Sequence, residues 1–285
     1  MNILNVLVPE DEFKERVEKC LNVAEEKSLD GLVVYSNYFC SGALRYLAGY
    51  TYQPVWLCSS VIILSPNSKP SLLTDRPWYL HKVKEETWIK DVRACGGWLE
   101  RPGPPGTLMS LSELTGDVLQ EKKLEKANIG VIGLDIMPAM FYGHLKEKVP
   151  QAKFVDATES FERLRMIKSE TEIQLMRNVT KTGSIGMETA LKSVKEGKTE
   201  ADIALTAMDA IMANGGDVIF AIWVVSGEDT QVVYRTPTYS NRRLKKGDMV
   251  WIDFGIIRQG YFADIGRTTV VGPEGTQLNW PDLWV

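Results

Sequence analysis

The sequence has few of the side chains on which many catalytic and metal sites depend. It contains only two histidines, His81 and His144, and its four cysteines form no CxxC pair. The motifs HExxH, GxSxG and GxGxxG are absent, so the usual sequence signals for a helical zinc protease, a serine hydrolase and a dinucleotide-binding fold are all missing. The fragment EGKTE at 196–200 resembles the end of a phosphate-binding loop, but position 192 is lysine where that loop needs glycine.

The chain also has no large excess of positive or negative charge and no long apolar run. The chain carries 33 Lys and Arg against 37 Asp and Glu, a net charge of -4, which argues against binding of nucleic acid through a basic face. No apolar run approaches the ~18–20 residues of a membrane span. Acidic residues at 10–12 exclude a signal peptide. We therefore expect a cytoplasmic protein with no nucleic-acid or membrane partner and with reduced cysteines.

A length of 285 residues predicts about two domains at ~150 residues each. Apolar residues at helical spacing over 11–28, buried strands near 29–36 and 129–135, and a strand–turn–strand pattern over 59–75 predict an α/β domain spanning 1–158. A lysine-rich helix is expected around 121–126. The Pro-rich stretch RPGPPG at 101–106 is expected to be a loop.

The remaining residues, 159–285, predict helices followed by strands. A capping box at Ser169/Glu172 marks one helix start, and Thr199 and Asp202 open a second helix that Gly215 and Gly216 close. Three apolar runs at 218–227, 249–257 and 261–271 then indicate strands.

Two aspartates stand in the last two of these apolar runs. Side chains alternate along a strand, so Asp253 and Gly255 share one face, as do Asp264 and Gly266. A two-residue turn at 258–259 would place Asp253 directly opposite Asp264, whereas a three-residue turn would shift the pairing by one. The glycines are expected to leave room beside the carboxylates.

Such a carboxylate pair destabilises a hairpin unless a cation compensates it. Like charges on neighbouring strands repel, and burial raises the free energy of each ionised carboxylate. A hard divalent metal such as Mn²⁺ or Mg²⁺ is the natural counter-ion for two carboxylates. The alternative is an edge hairpin with two solvated aspartates and no metal.

The run GDMVWIDFGIIRQGYFADIGRTTVVG resembles the metal-binding hairpin of the creatinase/prolidase/aminopeptidase P family. RLRMIKSETEIQLMR and GKTEADIA resemble helix starts of that family's catalytic domain, and LDGLVVYSNYFCSGALRYLAGY resembles its N-terminal domain. The similarity covers about residues 10–272. It implies a creatinase/prolidase-type α/β domain at 1–158 and an incomplete α+β pita-bread domain at 159–285.

The resemblance also implies a function. The chain would be a metallohydrolase with two divalent ions (Mn, Co or Zn), Asp253 binding one ion and Asp264 bridging both. Its substrates would be peptides with proline in the second position, or small amides and guanidino compounds such as creatine, and it would form a homodimer.

The chain departs from the family pattern at two places. The family completes its site with one histidine and two glutamates after the hairpin. Here Glu274 and Asp282 are the only acidic residues after Asp264, and no histidine follows His144. We therefore expect a truncated or frameshifted product. Tyr234 stands where relatives often carry a substrate-contacting histidine; it could donate a hydrogen bond, and Arg235 could bind a carboxylate, although either could be a surface residue. The alternatives are a non-catalytic pseudoenzyme or interaction protein with an incomplete metal site, and a lyase or non-peptide amide hydrolase on the same scaffold.

Overall fold

The computed structural model describes residues 7–50, 58–96, 109–232 and 234–272, which form two compact units. The first unit is Leu7–Lys168 and the second begins at Ser169, later than the predicted boundary at 158/159. The difference arises because Phe161, beyond the predicted boundary, is buried in the core of the first unit. The predicted loop at 101–106 and residues 273–285 lie outside the described residues.

The first unit is an α/β domain with helices on both faces of a six-stranded sheet. Strand β2 is antiparallel to its neighbours, and the other paired strands are parallel. The strand order is β4-β3-β2-β1-β5-β6, and one hydrophobic core lies on each face. Its elements are α1 (Glu10–Glu26), β1 (Gly31–Asn37), α2 (Gly42–Ala48), β2 (Ser59–Ser65), β3 (Ser68–Thr74), α3 (Leu80–Glu86), β4 (Asp91–Ala94), α4 (Leu111–Glu121), β5 (Asn128–Ile132), α5 (Ala139–Lys148), β6 (Lys153–Asp156) and α6 (Thr158–Met166).

The prediction of a lysine-rich helix around 121–126 is wrong. Helix α4 ends at Glu121, and the lysines form the turn that leads to β5. Lys123 adopts a positive φ of 59°, which a continuing right-handed helix does not allow. Leu124, within this turn, is buried in one of the two cores of the first unit.

The second unit places two helices under a three-stranded antiparallel sheet. Capping boxes at Ser169 and Thr199 begin α7 (Glu170–Ser193) and α8 (Glu200–Ala213), as predicted. Strands β7 (Val218–Ser226), β8 (Met249–Arg258) and β9 (Tyr261–Val270) pair in the order β7-β8-β9. Alternate residues of β8 are fully buried in the core shared with the helices: Val250, Ile252, Phe254 and Ile256.

Close packing of α7 on α8 depends on Gly186. A Cβ atom at this position would lie 2.4 Å from Ile211 Cγ1. We expect Gly186→Ala to lower the free energy of unfolding by about 1 kcal/mol, since overpacking costs ~1–3 kcal/mol and helix propensity returns ~1 kcal/mol. Gly143→Ala in α5 is the control: its Cβ would meet nothing within 4 Å, so it should stabilise the protein. Urea denaturation followed by circular dichroism measures both, and equal shifts would contradict the packing argument.

All four cysteines are free thiols, three of them buried, which is consistent with the predicted reduced state. Burial raises the pKa of the Cys20 thiol to about 12. Within the described ranges, no helix combines the length and the apolar character needed to cross a lipid bilayer.

Candidate metal site

The two aspartates of the hairpin lie on one face of the sheet as diagonal neighbours. The turn is Gln259-Gly260, both with positive φ (49° and 76°), so Asp253 pairs with Gly266 and Asp264 pairs with Gly255. The predicted direct opposition of Asp253 and Asp264 is therefore wrong. Asp253 and Asp264 still share one face of the sheet, because the turn contains two residues. We call this face of the β7-β8-β9 sheet the carboxylate face.

The two carboxyl groups interact electrostatically. Asp253 is partly buried, and this burial is the largest cause of the upward shift of its pKa. The negative charge of Asp264 and a hydrogen bond between the two carboxyl groups raise the pKa of Asp253 further, against a smaller opposing hydrogen bond from the Phe254 backbone. Asp264 is exposed. The fold thus holds together two carboxylates that repel each other, which is the arrangement that a cation relieves.

The two glycines beside the carboxylates differ in what surrounds them. A Cβ on Gly266 would have Asp253 Oδ1 as its nearest neighbour at 3.7 Å, so this position leaves room beside the carboxylate. A Cβ on Gly255 would lie 2.0 Å from Phe220 Cζ. The predicted open space at Gly255 is therefore wrong, because an irregularity in β7 between Ile219 and Ala221 places the Phe220 ring there.

Aromatic side chains lie close to the two aspartates on the carboxylate face. Trp223 pairs with Asp253 across β7 and β8, and Trp251 stands two residues before Asp253 on the same side. The Tyr234 ring lies edge-on to both, with centroids 5.3 Å from Trp223 and 5.8 Å from Trp251. The structure therefore brings Tyr234, Asp253 and Asp264 to the same face, and Tyr234 is 70% exposed there.

Arg235 does not project freely from the segment that carries Tyr234. Its Nη2 donates to Glu200 Oε2, and its Nη1 donates to the Pro237 carbonyl at 3.2 Å. Glu200 is fully buried, and the Arg235 side chain is 16% exposed. The guanidinium already has protein partners, so contact of Arg235 with a substrate carboxylate stays a prediction that this arrangement does not favour.

The donor set of the described residues fits only part of a metal site. Asp253 and Asp264 offer carboxylate oxygens, which suit hard divalent cations. Across 7–50, 58–96, 109–232 and 234–272, however, no group of three or more His, Cys, Asp and Glu side chains could hold a metal ion. Both histidines belong to the first unit. The described residues therefore do not complete a dinuclear centre.

Sequence reasoning missed several residues of this region. Trp223 is one of them, because its position opposite Asp253 depends on the pairing register of β7 and β8. Trp251 and Phe262, in contrast, are predictable, since period-two alternation places Trp251 with Asp253 and Phe262 with Asp264. Glu200 gave a weaker signal. It directly follows the helix cap Thr199, and the favourable interaction of an acidic side chain with the N-terminal end of the helix dipole is enough to explain a glutamate there. Its buried partners are distant in sequence, so no local pattern reveals them.

Comparison with known sequences assigns both units. The Creatinase/Prolidase N-terminal domain profile matches residues 16–167, and that of metallopeptidase family M24 matches residues 174–280. The chain belongs to the creatinase/prolidase/aminopeptidase P family. This confirms the resemblance predicted from the hairpin and gives the second unit the family's pita-bread class of fold.

Two relatives of this chain are named as dipeptidases. The chain is 32% identical over 268 residues to a probable dipeptidase PepE of Mycobacterium tuberculosis, covering 93% of this chain and 66% of the relative. It is 25% identical over 269 residues to an Xaa-Pro dipeptidase of Pyrococcus horikoshii, covering 92% and 66%. The chain thus spans about two thirds of the length of these relatives.

Solved structures share the fold. An X-Pro aminopeptidase from Thermotoga maritima superposes with a TM-score of 0.74 at 20% identity, covering 91% of this chain and 66% of that one. An Xaa-Pro dipeptidase from Bacillus anthracis gives a TM-score of 0.72 at 21% identity, covering 93% and 66%.

Proposed function

We propose that this protein is a metal-dependent hydrolase of small peptides with proline in the second position, in which Asp253 and Asp264 bind divalent metal. The observation that carries the proposal is the placement of both carboxylates on one face of the β8–β9 hairpin, where Asp264 raises the pKa of Asp253. Membership of a metallopeptidase family and relatives named Xaa-Pro dipeptidase support the reaction class.

In this proposal, different residues of the carboxylate face bind the metal and the substrate. Asp253 and Asp264 supply negative oxygens beside the open space at Gly266. Bound divalent metal would supply Lewis-acid polarisation of a scissile carbonyl and a water of lowered pKa. Tyr234 offers a phenolic hydroxyl on the same face, where it can donate a hydrogen bond to substrate, and the neighbouring tryptophan rings offer apolar surface to a proline side chain.

A second candidate function is a non-catalytic protein that retains the fold. The observation that favours it is the absence, among the described residues, of a third protein ligand near the two carboxylates. Two carboxylates alone bind a divalent ion weakly compared with the three or four protein ligands of catalytic zinc sites. The homodimer implied by the resemblance and the cytoplasmic location expected from the sequence remain proposals under either function.

Titration with Mn²⁺ followed by an assay with Ala-Pro tests the proposal. We expect metal binding and metal-dependent release of free proline, with Ala-Ala as the matched dipeptide that is cleaved more slowly. Product analysis also separates hydrolysis from a lyase reaction, which would leave an unsaturated product. Binding without release of proline, or no binding, would favour the non-catalytic protein.

A further inference from the structure

We propose that Glu200 and Arg235 are positioning residues whose buried ion pair holds Tyr234 on the carboxylate face. The inference rests on the proposed function for its catalytic consequence, although the positioning itself can be measured without turnover. It gives Arg235 a role different from direct binding of substrate.

Glu200 is a fully buried carboxylate with five donors. Its Oε1 accepts from the Ser226 backbone N–H at 2.9 Å and from the Ser226 hydroxyl at 2.8 Å. Its Oε2 accepts from the Ser240 backbone N–H at 3.0 Å, from the Ser240 hydroxyl at 2.6 Å and from Arg235 Nη2. A buried carboxylate is stable only when hydrogen bonds and an opposite charge satisfy it, and Glu200 has both.

The carboxylate and the two serines that donate to it come from three separate parts of the second unit. Glu200 is the first residue of α8, Ser226 is the last residue of β7, and Ser240 lies in the connection that leads to β8. Arg242 extends the network by donating from Nη1 to the Ser226 hydroxyl and to Asp248 Oδ2, each at 2.7 Å. The carboxylate of Glu200 therefore fixes the connection between β7 and β8 at more than one point.

Tyr234 has little burial of its own to keep it in place. It is 70% exposed, and the ring contacts found for it are the edge-on ones with Trp223 and Trp251. The next residue, Arg235, is held by Glu200 and by the Pro237 carbonyl. Since the backbone of Tyr234 is tied to this anchored neighbour, the ion pair determines where the phenol lies relative to Asp253.

The test compares Arg235→Ala with Tyr234→Ala in the full chain. Arg235→Ala leaves Glu200 four hydrogen bonds from Ser226 and Ser240, so the unit should still fold. The near-ultraviolet circular dichroism of the Trp223–Tyr234–Trp251 cluster reports the position of the phenol. We expect both variants to lose the same band and Arg235→Lys, which can still pair with Glu200, to restore most of it. Arg177→Ala, on the exposed surface of α7, is the matched control and should retain the band.

Kinetics provide the second readout. We expect Arg235→Ala and Tyr234→Ala each to lower kcat/KM about ten-fold, the size of one lost hydrogen bond, and the double variant to lose no more than either alone. Affinity for Mn²⁺ should stay within about two-fold, because neither residue is proposed as a ligand.

Three results would overturn the inference. An intact band in Arg235→Ala would show that the ion pair does not position Tyr234. Additive losses in the double variant would show that Arg235 acts independently of Tyr234, and a lost band with unchanged kcat/KM would remove the catalytic consequence. If wild type binds no Mn²⁺ and releases no proline, the proposed function fails, and the circular dichroism comparison still decides whether the ion pair positions the phenol.

Discussion

Asp253→Asn is expected to weaken Mn²⁺ binding by at least about 100-fold, because an amide oxygen carries no formal charge and one of two carboxylate ligands is lost. Asp264→Asn should behave in the same way, and metal-dependent release of proline should disappear with the metal. Isothermal titration with Mn²⁺ measures the effect. Asp209→Asn, an exposed position on α8, makes the same charge change away from the hairpin and should bind as wild type does. Unchanged affinity in Asp253→Asn would exclude the hairpin as the metal site.

Asp253→Asn should also have a higher free energy of unfolding than wild type when metal is absent. Burial and the charge of Asp264 raise the pKa of Asp253 above its ordinary value of 3.8, so the ionised form destabilises the folded state at neutral pH. Between the ordinary and the raised pKa the folded state binds more protons than the unfolded one. This group therefore adds stability as pH falls through that interval and removes it as pH rises. Asp253→Asn should lose this contribution, and thermal unfolding of both proteins with a chelator across pH 4–7 measures the difference.

Arg258→Ala is expected to lower the free energy of unfolding of the second unit by about 2–4 kcal/mol, the range for losing a buried charged group and its hydrogen bonds. Arg258 ends β8 and is 4% exposed. Its Nη1 donates to the Thr182 hydroxyl of α7 at 2.9 Å and to the Asn214 carbonyl, just past the end of α8, at 3.0 Å. A cation at that end of a helix is also favoured by the helix dipole.

Arg243→Ala is the matched control for this variant. Arg243 is exposed and donates to the Gly197 carbonyl, so its loss should change stability by less than about 0.5 kcal/mol. Urea denaturation of both variants, followed by tryptophan fluorescence, measures the difference. Similar small losses in the two proteins would mean that Arg258 does not fasten the hairpin to the helices.

Local patterns were sufficient to predict most helices and strands. The capping box at Ser169/Glu172 and the pair Thr199 and Asp202 predicted the starts of α7 and α8, and alternation assigned Asp253 and Asp264 to a shared face. The pairing register was not predictable from the aspartates alone, because it depends on which two residues form the turn. Gly260 tolerates a positive φ, which favours Gln259-Gly260 over Arg258-Gln259. The burial of Arg258 against the helices acts in the same direction.

Contacts between distant segments explain the remaining differences. Phe220 fills the space at Gly255 because β7 has an irregularity that no local sequence pattern marks. Arg235 pairs with Glu200, which lies 35 residues earlier in the chain. The observed boundary between the units lies later than the predicted one for a similar reason, since Phe161 belongs to a core formed by residues far from it in sequence. In each case tertiary packing, rather than local propensity, determined the outcome.

The two-residue turn at Gln259-Gly260 makes the carboxylate pair more sensitive to a change in length than to a change in composition. The β pleat repeats every two residues, so a single-codon insertion or deletion between Arg258 and Tyr261 would rotate Asp264 to the opposite side of β9, toward α7. Point substitutions in the turn leave that orientation intact. During evolutionary divergence, substitutions at Gln259 and Gly260 therefore keep the two carboxylates on one face. A single insertion or deletion in the turn would place them on opposite faces.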